Sequence, residues 1–173
     1  MFCKTIICKN LAVRLFPLVK ELATFDQTED VLQKEMRLWD ITRDISVVSL
    51  DEQPDNPWPL AVKIATWASS ESIGFNKNVD AGIQRGDSGR SWCIMQIHVI
   101  NGVTQQGWKG VELVTDRTKC IKAGVDVMNW SQKVCKNNPE NLRLAAYASG
   151  RCDWAHSLTN NRWNMTKYLE KKY

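Results

Sequence analysis

The chain has 173 residues, 43% of them hydrophobic and 24% charged, a balance that excludes a disordered polypeptide and leaves room for one domain of ordinary size with a real core. No apolar run approaches the roughly eighteen residues that a membrane span needs, and none of the six cysteines forms a C-x-x-C pair of the kind that binds zinc. The net charge of +4 is unevenly spread: residues 1–60 hold seven Lys/Arg against ten Asp/Glu, net −3, while residues 61–173 hold sixteen against nine, net +7.

In chain order, "MFCKTIICKNLAVRLFPLVK" has short apolar pieces broken by Lys4, Lys9 and Arg14, with no small-residue cleavage site, so no conventional signal peptide is expected. The segments "LAVRLFPLVKELATF" and "TEDVLQKEMRLWDITRDI" predict two helices, the first kinked or divided at Pro17, the second capped by Thr28 ahead of Glu29 and Asp30. "DEQPDNPWP", residues 51–59, packs three prolines and three acids into nine positions, which marks a boundary. Residues 58–70 then read as an apolar helix that delivers Glu71 at its C-terminal end. The stretch "GFNKNVDAGIQRGDSGRSW" is too irregular for helix and is expected to be a substrate-facing loop region with a short strand pair.

Residues 111–134 carry apolar groups over so wide an arc that one long buried helix is expected. In "NNPEN", Asn138 is a candidate cap and Pro139 a candidate first residue for a helix over 139–149 that stops at Gly150. "NRWNMTKYLEKKY" predicts a last amphipathic helix. The cysteines, Cys3, Cys8, Cys93, Cys120, Cys135 and Cys152, read either as disulfides in an oxidising space or as small buried thiols in a reducing one. If helices 117–135 and 139–149 pair antiparallel, Cys152 returns near Cys120. Cys120–Cys152 or Cys93–Cys152 is then expected over Cys120–Cys135, whose separation along one helix spans about 22 Å.

A glutamate at the end of a helix is ordinarily a solvated surface residue. Here, however, three short segments follow in order: Glu71-Ser72, "CIMQI" from Cys93 to Ile97, and "AAYASG" from Ala145 to Gly150. Their order and spacing resemble the lysozyme-like superfamily over residues 58–165, specifically the soluble lytic transglycosylases and goose-type lysozymes. The pattern there runs Glu-Ser, then Gly-Leu-Met-Gln, then Ala-Tyr-Asn-x-Gly. The resemblance implies a mainly α fold: a lysozyme-like catalytic domain over residues 56–173, preceded by a helical N-terminal extension over residues 1–55. It also implies a peptidoglycan-degrading glycosidase that cleaves the N-acetylmuramic acid to N-acetylglucosamine bond without metal or cofactor.

Glu71 carries over as the general acid, its proton retained by desolvation. In lytic transglycosylation the substrate's N-acetyl oxygen attacks C1 and the same glutamate then takes a proton from the C6 hydroxyl, leaving a 1,6-anhydro sugar. A hydrolytic goose-type reading needs a second carboxylate, for which Asp87 is the candidate and Asp80 the reserve; Asp87 is equally well a former of its own loop. Ser72, Met95, Gln96, Tyr147 and Ser149 carry over as substrate-binding residues, with Gln96 on a sugar substituent and Tyr147 orienting Glu71. The chain departs from the pattern at Cys93 in place of glycine, at Ala148 in place of asparagine, and at His98, where goose-type enzymes carry Asp. Trp92, Trp108 and Trp154 lie near the motifs, as sugar-stacking indoles or as core aromatics.

The basic half is drawn to an anionic partner. Its scattered Lys/Arg make nucleic acid the weaker reading beside a bacterial wall and its peptidoglycan glycan strands, and a solvated surface that needs no partner is an equal alternative. Residues 1–55 are a candidate docking segment for a phage virion or assembly partner. The expected place of action is a virion, the bacterial periplasm and cell wall after release, or the outside of a secreting cell. A wall-binding or virion structural module without activity is the alternative.

Overall fold

The computed structural model describes residues 3–24, 29–154 and 156–173, and the described residues are mainly helical. They form α1 (Ile6–Leu22), α2 (Val31–Glu52), α3 (Trp58–Glu71), α4 (Lys77–Asp80), the strands β1 (Ser91–Trp92) and β2 (Ile97–His98), then α5 (Gly110–Thr115), α6 (Arg117–Val134), α7 (Ala145–Ser149) and α8 (His156–Lys172). None of these helices is long and apolar enough to cross a membrane.

The organising element is α3. Leu60, Ala61, Val62, Ile64, Ala65, Thr66, Trp67, Ala68 and Ser69 are all buried, so this helix is covered around most of its circumference, with Lys63 partly exposed. The covering is supplied by α1, α2, α6 and α8. Leu15, Leu18 and Val19 of α1 and Leu38, Ile41, Ile45 and Val48 of α2 belong to the same core cluster as Ile64, Trp67, Ile121 and Leu169. The N-terminal helices thus form two of the walls around α3. Arg117 of α6 pins two elements together with charge. Its Nε and Nη2 donate to both carboxylate oxygens of Asp80 and its Nη1 donates to Asp44 on α2.

Several local expectations are corrected. Pro17 does not divide α1, which runs through it. The carbonyl that a proline leaves without a donor is that of the residue four positions back, here Val13, which lies on the exposed side of the helix. Thr28 lies outside the described residues; the side chain of Asp30 accepts from the backbone N–H groups of Leu32 and Gln33 at the start of α2. The break at residues 53–57 falls where the prolines are. The single helix expected over 111–134 is two, because Asp116 turns its side chain onto the N–H groups of Thr118 and Lys119 and starts α6 afresh.

The helix expected over 139–149 is interrupted too. Pro139 is extended, with φ −50° and ψ 149°, a 3-10 turn follows over Glu140–Leu142, and only Ala145–Ser149 is α-helical, ending at left-handed Gly150. Asn138 does not cap; its side-chain amide donates to the carbonyl of Cys152. This short, bent segment never returns along α6, so Cys152 stays at the end of α6 beside Cys135. The pairs are therefore Cys3–Cys8, Cys93–Cys120 and Cys135–Cys152, in place of the expected Cys120–Cys152 or Cys93–Cys152. The two larger loops so closed are worth about 3 to 4 kcal/mol each by chain-entropy reasoning, and three disulfides suit an oxidising compartment.

Because α1 and α2 wall in α3, Leu15→Ala, at a fully buried position, is expected to lower the unfolding free energy by about 2–5 kcal/mol. A chain trimmed to residues 56–173 is expected to lose its cooperative transition. Urea denaturation followed by circular dichroism checks both.

Candidate active site

Glu71 is the last residue of α3, and the chain beyond it is forced off the helical path. Ile73, Gly74 and Phe75 have φ of 54°, 72° and 59°, a left-handed run that L-residues disfavour. Thr24, just past α1, holds it. Its Oγ1 donates to the carbonyl of Ile73 (2.9 Å) and its N–H to that of Gly74 (3.1 Å), and a Cβ on Gly74 would lie 2.4 Å from its Cγ2. The Gly74 N–H returns to the carbonyl of Ser69 at 2.7 Å, and Phe75 is fully buried. This reversal fixes the last turn of α3 and with it Glu71.

The opposite wall is the β1–β2 hairpin, antiparallel with Ser91 opposite His98 and Trp92 opposite Ile97. Its loop is drawn down onto α6 by Cys93–Cys120 and by Met95, which is fully buried against Gly124; a Cβ there would lie 2.4 Å from Met95 Cε. A mid-helix glycine weakens a helix by about 1 kcal/mol relative to alanine. Here that loss admits the hairpin.

Between these walls lies a groove of about 880 Å³, lined by Glu71, Asp87, Gln96, His98, Tyr147 and Ser149 among others. One rim is the turn Ile100–Val103 with the chain to Gln106, whose amide donates to Asp126 on α6. Five of the seven expected site residues, Glu71 among them, thus line one cavity. Gln96 is committed internally: its Oε1 accepts from the N–H of Gly86 (3.0 Å) and its Nε2 donates to the carbonyl of Cys93 (3.0 Å). It braces the two loops that form the groove. Ser149 Oγ accepts from the N–H of Arg151 and reaches the carbonyl of Ala145 at 3.0 Å.

Ser72 and Met95 are not on the groove. Ser72 is fully buried, donating to the carbonyl of Ala68 and accepting from the N–H of Phe75, which makes it a device of the chain reversal. Asp80, the reserve carboxylate, is bound to Arg117 and lies off the groove lining. Trp92 packs on Gly110 with Arg85 over its ring, Trp108 is half-buried beside Lys119, and Trp154 is exposed. None of the three lines the groove.

The electrostatics single out Glu71. Its side chain is 17% exposed, and burial raises its proton affinity above the ordinary carboxylate range, the nearby Arg162 pulling the other way and the negative charge of Asp87 adding to the rise. Arg162 of α8 donates from Nη1 to Glu71 Oε1 at 2.5 Å. Among the described residues Glu71 Oε2 has no hydrogen-bond partner, and Glu71 lines the groove. Tyr147 orients the hairpin instead of Glu71: its hydroxyl donates to the carbonyl of Met95 at 2.7 Å. Burial, then the charge of Glu71, raise that phenol well above its usual range, so it stays protonated and donating. Asp87 is exposed and accepts from Ser91 Oγ.

Sequence reasoning missed Arg162. It lies 91 residues from Glu71, inside a segment read only as an amphipathic helix, and no motif marks it. Among the described residues no three His, Cys, Asp or Glu side chains gather as metal ligands. No family model, curated protein or solved structure matches the chain.

Gly74→Ala is expected to destabilise the protein by about 1–3 kcal/mol, because the new Cβ meets the backbone of Thr24 and the left-handed φ is kept at a strain. Thermal unfolding of the variant beside the parent measures it.

Proposed function

We propose that the protein is a peptidoglycan-cleaving glycosidase of the lysozyme and lytic transglycosylase type, with Glu71 as proton donor. One observation carries this reading: a single carboxyl, largely withdrawn from water at the end of α3 and with one oxygen unpartnered among the described residues, lines a groove of about 880 Å³. Cleaving a glycosidic bond needs a proton on the leaving oxygen as the ring becomes oxocarbenium-like. An acid that keeps its proton near neutral pH supplies it.

In the transglycosylation that this reading favours, Glu71 gives its proton to the glycosidic oxygen while the substrate's N-acetyl oxygen bonds to C1 and the glycosidic C1–O bond breaks, releasing the leaving sugar with a free hydroxyl. The resulting Glu71 carboxylate takes the proton of the C6 hydroxyl, O6 displaces the acetamido oxygen from C1, and a 1,6-anhydro end forms. Glu71 leaves the cycle protonated, as it entered. The net +7 of residues 61–173 suits the anionic wall, and Arg90 on the groove offers a cation to its carboxylates. The disulfides agree with action in the cell envelope, reached from a phage virion, at lysis or by secretion.

A hydrolytic reading has one observation in its favour. Asp87, solvated and steadied by Ser91, faces the same groove, and the pairing of a desolvated acid with a solvated carboxylate is what an inverting or retaining mechanism uses.

Glu71→Gln is expected to fold as the parent does and to lose about 10²–10⁴-fold in the rate of clearing purified cell walls; undiminished clearing contradicts the reading. Mass spectrometry of the fragments separates the chemistries, with anhydro ends from transglycosylation and reducing ends from hydrolysis. Since only protonated Glu71 donates, kcat/KM should fall as pH rises through its elevated pKa. That alkaline limb should sit above the ordinary carboxylate range.

A further inference from the structure

We propose that Arg162 is the positioning residue for Glu71: it fixes one carboxyl oxygen in the groove wall and stabilises the anion left when the proton departs. This rests on the glycosidase reading of the same groove.

Three contacts define the arrangement. Arg162 Nη1 donates to Glu71 Oε1 at 2.5 Å, Nε donates to Ser70 Oγ at 2.8 Å, and the guanidinium carbon stands 5.9 Å from the centre of the Trp67 ring. Trp67, Ser70 and Glu71 occupy the last turn of α3, so the guanidinium spans that turn and is held at three points along it. The arginine is 7% exposed. A planar fork anchored on one edge has little freedom to swing, which is the respect in which arginine differs from lysine. Thr166, one turn further along α8, donates to the carbonyl of Arg162 and steadies the backbone that carries it.

The geometry divides the two carboxyl oxygens. Oε1 accepts from the cation and Oε2 has no hydrogen-bond partner among the described residues, so the proton to be transferred resides on Oε2. Before the transfer Glu71 is neutral and Arg162 is bonded to its carbonyl oxygen. Afterwards the same hydrogen bond becomes a charge-assisted pair in a site withdrawn from water, where such contacts are stronger. The contact therefore favours the state that follows proton transfer over the state that precedes it, which is the requirement for lowering a barrier. The other ionisable groups around Glu71 are Asp87 before β1, Arg90 and His98 on the hairpin side, and Tyr147 on α7. None of these bonds to Oε1, so none takes over the role.

The test compares Arg162→Met, Arg162→Lys and the parent, each first shown to be folded by its thermal transition. Two measurements are read: the pH profile of kcat/KM on purified walls, and the titration of the Glu71 carboxyl carbon by NMR, assigned through Glu71→Gln. For Arg162→Met the Glu71 midpoint should move to higher pH, the alkaline limb of the profile should move with it, and kcat should fall about 10²-fold. Arg162→Lys, which keeps the charge but not the fork, should return the midpoint towards the parent and recover part of kcat. If Arg162→Met is too unstable to titrate, Arg162→Lys and Ser70→Ala give the reading, and unchanged kcat and midpoint in both overturn the proposal. A Glu71 midpoint unchanged in Arg162→Met also overturns it. The NMR titration needs no turnover, so a protein inert towards walls would defeat the glycosidase reading while the midpoints still decided whether Arg162 governs Glu71.

Discussion

A helix that is apolar over most of its circumference has to be surrounded, and α3 is such a helix from Leu60 to Ser69, with Lys63 the partly exposed exception. That constraint sets the rest of the molecule. Two N-terminal helices, the long helix α6 and the C-terminal helix α8 close around it, and after the partly exposed positions Trp58, Pro59 and Lys63 the helix returns to the surface in its last turn, where Glu71 stands. The burial that stabilises the fold and the desolvation that raises the proton affinity of Glu71 are thus one physical fact, acting on successive turns of the same helix.

The groove is assembled from parts distant in sequence that are each tied back to the bundle. Thr24 holds the left-handed turn after Glu71, the Cys93–Cys120 disulfide and Met95 hold the hairpin on α6, and Cys135–Cys152 holds the turn after α7. Gln96 links the two hairpin-side loops from within. A carboxyl that must retain its proton requires surroundings that do not relax around its charge, and this web of short tethers supplies them without a large sheet.

Much of this was legible in the sequence where local chemistry decides the outcome. The mainly apolar run that places Glu71 at a helix end, the proline cluster that separates α2 from α3, the strand pair, and Gly150 as a helix stop follow from side-chain type and spacing. What was hidden depends on three-dimensional register. The Asp116 cap cuts an apolar pattern that looks continuous, extended Pro139 bends a segment that reads as one helix, and the cysteine pairs follow from that bend. Ser72 and Met95 belong to the same short motifs as Glu71 and Gln96, yet the chain reversal and the close approach at Gly124 turn them inward. Arg162 carries no local signal, because its role exists only once α8 lies along the last turn of α3.

The most direct test of the account is the protonation of Glu71 itself in the unaltered protein. A carbon-13 titration of its carboxyl is predicted to give a midpoint above those of the exposed glutamates in the same spectrum, with burial outweighing the pull of Arg162. A midpoint at or below theirs would mean that the ion pair dominates, that Glu71 is a carboxylate at neutral pH, and that no proton donor stands at the end of α3.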